Sequence, residues 1–101
     1  MRPCLFTVAL LTLLSTSLAQ AQVTIEVAKI TCGQFVGGEI GGSRTVAAWL
    51  SGYYHGKKNS TSVDKQTFEG NLGRLTNFCR TGDNGKILIM QAIEKILAES
   101  Q

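Results

Sequence analysis

Cysteine is the residue type in this 101-residue chain whose number and spacing most invite a chemical reading, and that chemistry is oxidation. Cys4, Cys32 and Cys79 are the three. Cys4 lies inside a segment laid out as a secretory signal. Arg2 supplies a positive start, residues 6–14 are almost wholly apolar, and Ala19-Gln20-Ala21 is an A-x-A cleavage site. The apolar run is too short to anchor in a bilayer. Cys4 precedes it, whereas a lipid-modified cysteine follows such a run. The expected organisation is therefore a signal peptide over residues 1–21 and one helical domain over residues 22–101. Cleavage leaves Cys32 and Cys79. An even pair in an exported chain reads as one disulfide; two buried free thiols are the other reading.

Other chemistries find little support. His55 is the single histidine, so neither a zinc site nor a Cys-His or Ser-His constellation can be assembled. At a helix end beside Gly56 it reads as a solvated residue, or as a charge switch near pH ~6. The seven carboxylates show no paired acid–base spacing. Gly37-Gly38 and Gly41-Gly42 are not a phosphate loop, because no Gly-Lys-Ser/Thr follows. Of the ten Lys and Arg, nine remain once Arg2 is removed, against seven Asp and Glu. That scattered excess is too small to argue for nucleic acid or an anionic membrane. Asn59-Ser60-Thr61 matches the glycosylation sequon and marks a surface loop. The expectation is a protein that is not an enzyme and holds no metal or cofactor.

The elements that would position the cysteines follow from periodicity. Residues 22–30 alternate at Val23, Ile25 and Val27, as a short extended arm or a frayed tail would. Thr31 and Gln34 have the T-x-x-Q spacing of a capping box, Phe35 and Val36 give a short helix its apolar face, and Gly37-Gly38 stops it. Ser43 or Thr45 is the expected cap of a second helix. Val46, Ala47, Leu50, Tyr53 and Tyr54 recur at helical spacing there, with Trp49 beside them, and Gly56 is placed just past its end. Asp64 caps a third helix carrying Phe68, Leu72, Leu75, Phe78 and Cys79. Asp83-Asn84-Gly85 is a turn. Ile87, Met90, Ile93, Ile96 and Leu97 define a fourth helix, with Ile89 off the stripe. The expected fold is all-α: four helices, the first short, in an orthogonal or loose bundle, with the disulfide joining the start of the first to the end of the third.

Eighty residues with 11 glycines should be marginally stable. A crosslink spanning 47 positions would contribute about 4 kcal/mol by the chain-entropy argument.

Thr31-Cys32-x-x-Phe35, the block from Val46 to Lys57 containing Trp49-Leu50-Ser51-Gly52-Tyr53-Tyr54-His55-Gly56, and Leu75-x-x-Phe78-Cys79 follow one another after a signal peptide. This ordered set resembles the HdeA/HdeB family of periplasmic acid-stress chaperones. The resemblance implies an HdeA-like helical domain with Cys32 paired to Cys79. It also implies a homodimer at neutral pH that loosens in acid, without ATP or cofactor, and holds unfolding periplasmic proteins to prevent their aggregation. The apolar surface for clients or for the dimer would come from Trp49, Leu50, Tyr53, Phe68, Leu72, Leu75 and Phe78. Below pH ~3 most carboxylates protonate, leaving nine Lys and Arg plus His55 to repel one another. The alternative function is a periplasmic immunity or inhibitor protein that binds a secreted toxin. It would hold one partner tightly at neutral pH, which a pull-down separates from acid-dependent binding.

Overall fold

The computed structural model describes residues 24–99; the expected signal peptide and Cys4 lie outside the described residues. Helix α1, Cys32–Gly37, begins at the capping box expected from sequence. The Thr31 hydroxyl accepts from the Gln34 N–H at 3.2 Å, and the Gln34 side chain accepts from the Thr31 N–H at 3.1 Å. Gly38, at φ 76°, ends the helix in the left-handed region that glycine enters freely. Thr31→Ala should cost about 1 kcal/mol. The measurement is the urea midpoint at unchanged slope; an unmoved midpoint would show that the box does not secure α1.

Helix α2, Ser43–Lys57, corrects two expectations. Neither Ser43 nor Thr45 caps it; Gly42 does, without a side-chain bond. Ser43 instead donates its hydroxyl to the carbonyl of Phe35 at 2.6 Å, because the last carbonyls of α1 need a donor. Gly56 lies inside the helix rather than past it. The left-handed residue is Asn59, at φ 59°. The N–H groups of Asn59 and Ser60 bond back to Gly56 and His55, each at 3.0 Å, in a Schellman arrangement. Asparagine tolerates this conformation better than other side chains do.

Helix α3, Lys65–Arg80, starts as expected at Asp64, whose Oδ1 accepts from the Thr67 N–H at 2.7 Å. Its end is closed from the turn Asn84–Lys86, where Asn84 Nδ2 donates to the Phe78 carbonyl at 2.8 Å.

Helix α4, Ile89–Glu99, buries Ile89, Ala92, Ile93 and Ile96, so the inward stripe is displaced from the expected one. Ile87 precedes the helix, and Met90 and Leu97 flank the buried line. The cause is a clamp at the helix entry. Ile89 N–H donates to Ile30 at 2.8 Å and Cys32 N–H donates to Ile87 at 2.7 Å, which turns Ile89 into the core. Residues 24–30 are accordingly neither an arm nor a tail. Val27–Lys29 forms a 3-10 turn, with Val27 and Ile30 buried.

The described residues thus form the expected all-α, four-helix domain with one disulfide. Helices α1, α3 and α4 approach one another closely along the backbone, while α2 approaches them only at isolated points. Cys32 in the first turn of α1 is bonded to Cys79 in the last turn of α3, with Cα atoms 4.9 Å apart. A Cβ on Gly33 would sit 3.2 Å from the Gly85 carbonyl, so glycine lets α1 rest on the Asn84–Lys86 turn without displacing it. Helix α2 lies over this unit through Val46, Ala47, Leu50 and Tyr54. Burial of each large apolar side chain there contributes about 1.5–3 kcal/mol.

Candidate functional site

The seven apolar positions singled out from sequence fall in three places. Leu50, Phe68, Leu72 and Leu75 come together in one cleft between α2, α3 and α4, joined by Ile93 and Leu97. Leu50 and Leu75 are each 1% exposed, while Phe68 and Leu72 are half-buried. The cleft is almost filled, with a residual cavity of about 20 Å³, room for no more than one water. Trp49 and Tyr53 lie elsewhere, on the outer side of α2, and are 46% and 37% exposed. Their rings stack at 5.0 Å over an open groove bordered by Ile25, Val27 and Met90. Lys57 Nζ stands 4.5 Å from the centre of the Tyr53 ring, extending this row by one turn. Phe78 is separate from both groups and lies 5.9 Å from Lys95 Nζ.

The disulfide is enclosed, with Cys32 wholly buried and Cys79 3% exposed. Tyr53 and Tyr54 divide as rim and core. Tyr54 points inward and donates to Glu94 Oε1 at 2.9 Å and to the Met90 carbonyl at 3.3 Å. Burial first, and the Glu94 carboxylate second, push the Tyr54 phenol up to about 12. His55 is half-buried rather than free in solvent, and its Nδ1–H donates to the Ser51 carbonyl at 2.7 Å.

The electrostatic links between helices are the features that sequence reasoning missed. Arg44 in the first turn of α2 makes a bidentate pair with Glu69 of α3, and its guanidinium lies 5.5 Å from the centre of the Phe68 ring. Arg74 of α3 reaches Glu99 of α4 at 3.6 Å. Residues 25 positions apart, such as Arg44 and Glu69, carry no sequence signal that pairs them. The hydrogen bond from Arg44 holds the Glu69 carboxyl below the usual carboxylate range, and the Thr67 N–H does the same for Asp64. Both carboxyls are therefore more acidic folded than unfolded. Their contribution to stability is present above the unfolded pKa and is lost as pH falls through the folded one. Both are exposed and salt-screened, so each contributes modestly.

Among the described residues no helix is long and apolar enough to cross a membrane, and no three His, Cys, Asp or Glu gather as a metal site would require. What the arrangement offers is apolar surface, part of it open on α2 and part closed beneath it, on a scaffold with one internal crosslink. No curated protein and no solved structure matches the chain. The model of the HdeA/HdeB family matches residues 4–88, which include both disulfide cysteines and the whole tryptophan–tyrosine block of α2. On that match, which spans most of its length, the chain belongs to the HdeA/HdeB family.

Proposed function

We propose that this protein is exported by cleavage after Ala21 and acts in the periplasm as a holdase. It loosens in acid and binds unfolding proteins before they aggregate. At the level of the family the function is that of a periplasmic acid-stress chaperone rather than an enzyme. The observation that carries the reading to this chain is the pairing of a covalently closed apolar core with carboxylate links on its surface. Acid removes the charge of Glu69 and leaves Arg44 unopposed. The disulfide is unaffected by protons and keeps the apolar side chains within one small unit. At neutral pH the protein is a homodimer, to which the exposed Trp49 and Tyr53 offer apolar area.

The test is light scattering of an acid-sensitive client at pH ~3, with and without equimolar protein. Scattering should fall when the protein is present and should not change at neutral pH. Equal scattering in acid with and without it would refute the proposal.

A further inference from the structure

We infer that α2 is a detachable lid, and that the face it covers, Phe68, Leu72 and Leu75 of α3 with Ile93 and Leu97 of α4, is where an unfolding protein docks. This rests on the holdase reading and names its site and its moving part.

Four observations converge on α2. Its backbone stands off from the other helices, which are close to one another. The covalent and main-chain clamps bypass it. The disulfide joins α1 to α3, and the bonds between Ile30 and Ile89 and between Cys32 and Ile87 join the entries of α1 and α4. Neither of its connections is buried in the core. The loop 38–42 holds three glycines, and every residue of the loop 58–64 is exposed. Its removal would uncover a cleft that is apolar except for Asn71, since Ala47 and Leu50, with Ser51 and His55, fill that cleft to within a residual cavity of about 20 Å³.

The occupant of the face is already visible, because α2 is the ligand in the closed state. It presents Ala47 and Leu50, one helical step apart, on a segment with no acidic residue. The partner that would replace it is an apolar helical segment of similar width, carrying few charges in acid.

The charges around α2 set the direction of the switch. Helix α2 and its cap carry Arg44, His55, Lys57 and Lys58 and no carboxylate. Facing them are Glu69 and Lys65 of α3 at one end, Glu94 of α4 at the other, and Glu26 along the groove beside Trp49 and Tyr53. Protonating the three glutamates leaves only cations across this boundary. The Tyr54 bond to Glu94 loses its charge assistance. What remains is the neutral bond from Ser43 to Phe35, that from Tyr54 to Met90, and apolar contact. Between α3 and the Asn84–Lys86 turn, the link from Asn84 to Phe78 is neutral and does not titrate.

Residue-resolved hydrogen exchange of the purified protein at stepped pH tests this. On acidification, amides of α2 should lose protection by roughly tenfold or more relative to those of α3 in the same sample. Residues 32–35 and 75–79, around the disulfide, should stay protected longest. Glu69→Gln should move α2 opening to higher pH, because Arg44 then has no carboxylate to release. Asp64→Asn, which alters a cap on α3, should not move the pH at which α2 opens. Loss of protection in all four helices together, or α2 opening after α4, would overturn the lid. The two readings separate cleanly. Client protection without selective α2 opening removes the lid alone, and selective opening without client protection removes the holdase alone.

Discussion

Replacing both Cys32 and Cys79 by alanine should leave the protein largely unfolded at room temperature and neutral pH. Closing a loop of 47 positions removes about 4 kcal/mol of chain entropy from the unfolded state. Domains of this size have total stabilities at or below the common range of about 5–15 kcal/mol. Alanine is the stricter test, because serine at positions 0% and 3% exposed would add unbonded hydroxyls to the core. The loss would be felt where α1 meets α3. Without the bond, α1 is a six-residue helix held by its capping box, the Ile87 carbonyl and Phe35. Urea unfolding followed by circular dichroism measures the change. A double variant within about 1 kcal/mol of the parent would show that helix packing alone suffices. It would also remove the reason for expecting the acid state to stay compact.

Much of this fold is readable from local sequence, because local chemistry decides it. The Thr31–Gln34 box, the Asp64 cap and the Gly38 stop each depend on groups within four residues, and each is where the spacing puts it. The disulfide is readable from the two cysteines that remain once residues 1–21 are read as a signal peptide. Failures occur where a distant group competes. Ser43 forgoes capping because the Phe35 carbonyl, eight residues back, needs its hydroxyl. The stripe of α4 turns because Ile30 and Ile87 set the helix entry. Gly56 is passed over because Asn59 can take the left-handed position one turn later. The candidate surface is legible only in part for the same reason. Periodicity gathers Leu50, Phe68, Leu72 and Leu75 as apolar, and all four do meet. It cannot tell that Trp49, on the same helix as Leu50, faces water, or that Arg44 would pair with Glu69 beside Phe68.

Leu50→Ala should separate the lid from the clamped core more sharply than any charge change. Leu50 is 1% exposed and is the largest side chain that α2 places in the cleft. Truncating a buried leucine costs about 3–5 kcal/mol, part of it for the cavity left behind. If α2 opens as a unit, that loss falls mainly on its own opening. A loss of 3 kcal/mol raises its exchange rate at neutral pH by roughly a hundredfold, and the pH at which it lifts moves up. Leu75→Ala is the matched comparison, since Leu75 is equally buried but sits on α3, a turn before the disulfide. It should lower protection in α1, α3 and α4 as well as in α2, and it should also weaken client capture by removing a side chain from the docking face. A protein in which both truncations destabilise all four helices equally would be one cooperative unit. Its acid response would then be global unfolding around the crosslink, with no lid to lift.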